Sequence, residues 1–190
     1  MTLLIVGIAI WVLVHLFKRL SPSGRAALDT ALGQGPAKGV IALLLVVSVV
    51  LMVIGYRAEP YDPVYSPWPG MGHLNNLLML LAVMLMGAGS SKGKLRAWLR
   101  HPMLTGVIVW SVAHLLVNGD LASVVLFGSM ASWAVVEMLV INGSSGPYHR
   151  LEPGPIKGDI RLLVISLVLY AIIAGIHIWL GHNPFLGTYA

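Results

Sequence analysis

Apolar residues in this chain fall into six runs separated by short polar stretches. The first covers residues 2–17 and is closed by Lys18 and Arg19. The second covers 40–56, the third runs from about His73 to Gly87, and the fourth starts near Pro102 and ends at Asn118-Gly119-Asp120. The fifth covers 121–141 and the sixth about 160–180. Each is 15 to 21 residues long, close to the ~20 that a helix needs to cross a bilayer. The segment Ser21–Gly39 carries Pro22, Gly24, Gly33, Gly35 and Pro36 and reads as a loop. Between Arg57 and Gly70 four prolines forbid a regular helix, and the Tyr and Trp content suits a loop lying on headgroups. Residues 142–159 mix Gly, Ser and Pro with charges of both signs, and His182-Asn183-Pro184 leads into a short apolar tail. The pattern predicts an all-α polytopic membrane protein of six transmembrane helices, forming a single domain over residues 1–190.

Composition agrees. Of 190 residues, 57% are hydrophobic and 10% charged, and the mean hydropathy is +0.85; soluble domains carry roughly 25% charged residues. No sizeable soluble domain fits. The positive charge that closes the first run follows its apolar core, the reverse of a secretory leader, so that run is expected to stay as a membrane span. The chain has no cysteine, which removes disulfides, covalently attached haem, thiolate-ligated haem and cysteine-held iron–sulfur clusters.

The basic residues set an orientation. Eleven of the twelve Lys and Arg fall after runs one, three and five, and only Arg57 falls on the other side. The positive-inside rule then places both termini outside the cytoplasm, which in a bacterial inner membrane means periplasmic. The same distribution argues against nucleic acid as a partner, because the charges sit in loops beside spans and form no phosphate-binding face. The lipid bilayer is the expected surrounding.

An ionisable residue inside a span is costly and marks function by default. His15, His114 and His177 lie within apolar runs, and His73 and His101 lie at the ends of the third and fourth. Glu137 is the acid within a span, one turn after Trp133. The arrangement Gly-x-x-x-Trp-x-x-x-His occurs twice, as Gly7-Trp11-His15 and Gly106-Trp110-His114. Helical spacing puts each triplet on one stripe. A glycine admits a flat group to the backbone, a tryptophan walls it, and an imidazole binds metal. Two stripes could hold a planar metal cofactor; the plainer reading is that these residue types merely serve helix contacts. His177, beside Trp179, reads as an interfacial side chain. Spans one and four run in opposite directions, so His15 and His114 should differ in depth by ~10–14 Å. By depth His15 lies nearer His101 and His114 nearer His73, so one site or two both remain open.

The run Leu99-Arg-His-Pro-Met-Leu-Thr-Gly106, then Trp110, Ala113-His114-Leu-Leu-Val-Asn-Gly-Asp120 and Leu126-Phe-Gly128, closely resembles the NnrU family of bacterial membrane proteins. The likeness includes Val14-His15-Leu16, Gly55-Tyr56-Arg57, His73-Leu74 and Leu77-Leu-Met79, and is strongest over residues 1–141. It implies a link to nitrite and nitric oxide reduction in denitrifying bacteria. The family also contains the plant 15-cis-zeta-carotene isomerase, which uses haem b to isomerise a polyene. The resemblance puts the haem ligands at His15 and His114, the two residues that end the stripes. Gly7, Trp11, Gly106 and Trp110 of those stripes would then lie around the cofactor, Arg100 at the basic face could pair with an anionic group such as a haem propionate, and depth keeps His73 and His101 as ligands of a two-haem arrangement. A small apolar or nitrogen-oxide ligand and a membrane redox partner would follow. A looser likeness exists: Arg100-His101-Pro102 with Gly106 is similar to an element of isoprenylcysteine-type methyltransferases that bind S-adenosylmethionine, although Leu104 stands at the tyrosine of that element and only Glu137 and Tyr148 stand for its later acid and tyrosines.

Overall fold

The computed structural model describes residues 1–186 and is all-helical among them. Its helices are α1 (Thr2–Leu20), α2 (Pro22–Leu32), α3 (Gln34–Ala58), α4 (Met71–Ala88), α5 (Pro102–Leu115), α6 (Leu121–Ser144) and α7 (Ile156–Trp179), with a single 3-10 turn at Leu95–Ala97. Five of these, α1, α3, α4, α6 and α7, are long and apolar enough to cross a membrane. The sixth apolar segment forms α5, of only 14 residues, or ~21 Å, which is short for a hydrocarbon core of ~30 Å. Its limits are local: Pro102 starts it at the first turn, and the chain leaves the helix before Asn118-Gly119-Asp120 turns into α6.

One expected loop is a helix. Residues 22–32 form α2, and α3 begins at Gln34, earlier than the hydrophobic run. Pro22 occupies the first turn of α2, where its missing N–H costs nothing, and Arg25, Ala26, Ala27, Leu28, Ala31 and Leu32 are good helix formers. Arg25 pairs with Asp29 one turn on, at 2.6 Å. Gly33, at φ +84°, makes the break between the two helices. The prolines and glycines of this stretch mark helix ends rather than a continuous loop. No residue of α2 is buried.

α1 and α3 form an antiparallel pair, α4 packs on α5 and α7, and α6 touches α1, α3 and α5. The pairs close tightly through glycine. A Cβ on Gly7 would lie 2.7 Å from the Ser48 carbonyl oxygen of α3, and one on Gly106 would lie 2.9 Å from Met86 Cγ of α4. In lipid, packing of this kind replaces the hydrophobic drive between helices. The outward faces stay apolar: Leu43 and Val46 on α3 and Ile160 and Val168 on α7 are more than half exposed, as lipid contact requires.

The end of the bundle opposite the basic loops is latched by the proline-rich loop. Val64 and Tyr65 N–H both donate to the Gly119 carbonyl (2.8 and 3.1 Å), and Leu121 N–H donates to the Asp62 carbonyl (2.8 Å). The Tyr65 hydroxyl donates to the carbonyls of Leu115 and Asn118, and partial burial and the nearby Asp120 carboxylate raise its pKa above the ordinary tyrosine value. Gly119 has no room for a side chain because the Tyr65 backbone lies against it. At the basic end Asp159 of α7 accepts from Lys94 N–H (2.9 Å) and Leu95 N–H (3.0 Å), which fixes the start of α7 beside the 90–95 loop.

The distribution of basic residues predicts that a reporter enzyme fused after Ala190 is active only on the periplasmic side; activity in the cytoplasm would overturn the six-span arrangement with both termini outside. Gly106→Val should lower thermal stability in detergent by about 1–3 kcal/mol through overpacking, while Gly128→Ala, with open space around its Cβ, should leave the melting temperature nearly unchanged.

Candidate functional site

The two stripes fold alike and end up apart. His15 Nδ1–H donates to the Trp11 carbonyl and His114 Nδ1–H to the Trp110 carbonyl, each at 2.9 Å. A carbonyl only accepts, so in both rings Nδ1 carries a proton that is engaged by the helix, and Nε2 is the nitrogen left over. Each tryptophan packs on the histidine one turn later, with centroids 4.2 Å apart for Trp11 and His15 and 5.1 Å for Trp110 and His114. The two imidazoles then meet different rings of α6. His15 lies 4.7 Å from Trp133, and His114 stacks 4.4 Å from Phe127. Six residues separate those rings, which is ~9 Å along the helix and about a third of a turn off in direction. The structure therefore does not bring His15 and His114 together, in keeping with the depth offset read from the sequence.

What His114 does share is a cavity with His177. A space of about 530 Å³ is lined by α4, α5, α6, α7, the end of α3 and the segment after α7. Its apolar part includes Met79, Leu126, Phe127 and Ile173, and its polar part includes Tyr56, Asn75, Asn76 and Asn118. His177 repeats the geometry of His114: its Nδ1–H donates to the Ile173 carbonyl at 2.8 Å. The cavity thus offers two span imidazoles whose Nδ1–H is engaged in the same way, which leaves Nε2 for a metal, and His182 of the segment after α7 lines it as well. The segment after α7 closes over the mouth, where Asn76 Nδ2 donates to the Pro184 carbonyl at 2.7 Å and Phe185 packs on Tyr170.

The remaining sequence candidates lie elsewhere. Gly7 and Gly106 are filled by neighbouring helices rather than open to a flat group. Trp11 packs with His15 and Trp133 on the α1–α6 contact. Arg100 and His101 are at the other end of α5 from His114. There Arg100 Nη2 donates to the Gly146 carbonyl (2.9 Å) and covers the Tyr148 ring, and His101 bonds Asn142 (2.9 Å). His73 is exposed in the first turn of α4. Glu137 is buried, with Oε1 3.6 Å from Arg19 Nε and no partner for Oε2 among the described residues; it belongs to the α1–α6 contact and not to Arg100. Among the described residues no three or more His, Asp or Glu gather as a metal-ion cluster, so metal ligation here rests on separate imidazoles.

Sequence reading gives no site role to His177, Tyr56, Asn75 or Phe127. His177 did carry a signal, an ionisable group in an apolar span, but Trp179 beside it suggested the interface. Nothing in spacing along the chain ties Tyr56 or Asn75 to His114, because they come together only through packing.

Comparison with known proteins adds the family. No curated protein and no solved structure matches the chain. The family model described as "NnrU protein" matches residues 3–184, and so includes α7 and His177 along with the segment where the resemblance was strongest. The chain belongs to the NnrU family.

Proposed function

We propose that this membrane protein binds haem b in the cavity between α4, α5, α6 and α7, where His114 and His177 would hold its iron. One observation carries the reading: two histidines on different helices line one cavity, each with Nδ1–H engaged by its own helix and Nε2 left over. The rest of the lining fits an amphiphilic planar group. Phe127 and Met79 suit a macrocycle, and Asn75, Asn76 and Asn118 can donate hydrogen bonds to its carboxylates. The volume falls in the usual range for small-molecule sites, roughly 300–1,000 Å³. Haem bound here would supply a redox-active iron.

Within the family's two associations, nitrite and nitric oxide metabolism or polyene isomerisation, the amide groups in this lining favour a small polar ligand such as a nitrogen oxide. A polyene would be better served by a wholly apolar groove. His15, packed between Trp11 and Trp133, serves the α1–α6 contact in this reading. The bacterial inner membrane and a membrane redox partner complete the proposal. The methyl-transfer alternative gains no support, because Arg100 is bonded to the α6–α7 connection, His101 to Asn142 of α6, and Glu137 faces Arg19.

Purified in detergent after haem-replete expression, the protein should show a Soret band with low-spin reduced bands. His114→Ala should lose most haem, His177→Ala should lose haem or turn it high-spin, and His15→Ala should retain a wild-type spectrum at equal protein level. Loss in His15→Ala with an intact His177→Ala would return the ligand pair to His15 and His114. Arg100→Ala should leave haem content unchanged while speeding proteolysis of the 145–150 connection; haem loss in that variant would place the cofactor at the basic face instead.

A further inference from the structure

Tyr56, at the end of α3, forms part of the cavity wall. Its hydroxyl lies 2.8 Å from Ser123 Oγ, and Ser123 Oγ donates to Asp120 Oδ2 at 2.6 Å. Ser123 is completely buried. Asp120 caps α6, accepting the Ser123 N–H at 2.9 Å on its other oxygen, and is partly exposed at the outer end of the bundle. A hydroxyl has one proton to give. Ser123 gives its own to the carboxylate, so it accepts from Tyr56. The chain therefore has a direction, with each O–H pointing away from the cavity and toward Asp120.

We infer that Tyr56, Ser123 and Asp120 form a proton-exit chain, which takes a proton from an acidic ligand in the cavity and delivers it to the outer aqueous phase. The inference rests on the cavity being the ligand site and deepens that reading. When a ligand HX loses its proton, the X–H bond breaks and its electron pair stays on X. A new O–H bond forms on Tyr56, the original Tyr56 proton moves to Ser123, and the Ser123 proton moves to Asp120 and then to water. The net change is HX in the cavity to X⁻ in the cavity and H⁺ outside, with no electron transferred.

Other titratable groups face this chain but are otherwise engaged. Tyr65 lies near Asp120 and gives its proton to the Leu115 and Asn118 carbonyls. Glu59 is paired with the Met1 amino group at the outer end of α1. His114 and His177 on the other cavity walls hold their Nδ1 protons against their own helices. Tyr170 and His182 line the cavity as well, and Tyr56 is the start of the hydrogen bonds that reach Asp120.

The test compares two probes of the ferric haem-loaded protein by stopped flow. Hydrogen cyanide binds as cyanide and must give up a proton, whereas imidazole binds without losing one. Tyr56→Phe and Ser123→Ala should each slow cyanide association at least tenfold and leave imidazole association unchanged. A second readout needs no haem. In infrared difference spectra during acid titration of the apo-protein, the Tyr56 C–O mode should shift together with the Asp120 carboxyl band, which Asp120→Asn identifies by its loss. Ser123→Ala should uncouple the two. Unchanged cyanide rates, equal slowing of both probes, or a Tyr56 mode indifferent to Asp120 would overturn the chain. If the protein carries no Soret band, the haem reading alone fails and the infrared result decides the chain.

Discussion

Everything in this bundle depends on what α6 offers to its neighbours. It is the helix that touches α1, α3 and α5, and it receives one intramembrane histidine at Phe127 and another at Trp133. The six-residue step between those rings separates the two Gly-Trp-His stripes in height and direction. One stripe is drawn into a dry aromatic contact with Trp11 and Trp133. The other is left on a cavity wall. Had the two rings been seven or eight residues apart, they would have shared a face, and the stripes with them.

A low-dielectric interior allows few unsatisfied polar groups, and the solutions adopted here shape the site. The three span histidines use the carbonyl one turn back, which fixes their tautomer without a second side chain. Tyr56 finds its partner in Ser123, and Ser123 in Asp120. The same bonds that satisfy buried hydroxyls orient their protons, so a requirement of folding leaves a directional chain beside the cavity. Glu137 is the costlier case. Its single cation is 3.6 Å away and one oxygen has no partner among the described residues, so the α1–α6 contact contributes less stability than its aromatic packing alone would suggest.

The fold was legible in the sequence wherever hydrophobic length decides. Six apolar runs, their basic flanks and the proline-rich loop are read directly, because a bilayer selects for length and a loop of four prolines cannot be a helix. The α2 helix is hidden because a proline or glycine at a helix end looks, in sequence alone, the same as one inside a loop. The brevity of α5 was hidden because hydrophobicity continues past Leu115 while the helix does not.

The site divides in the same way. The chain alone determined that histidines occur inside spans, that two of them end identical stripes, and that they differ in depth, since helical rise follows from residue count. It also carried the family signature around Arg100 and His114. Which histidine faces which was decided only by packing. His177 is far from His114 in sequence and reaches the same cavity because α7 leans on α4, with its start fixed by Asp159. The two glycines, expected to admit a cofactor, admit α3 and α4 instead, since spacing shows that a face is small but not what fills it. Periodicity along one helix is a property of the sequence; the partner across the gap is a property of how the helices meet.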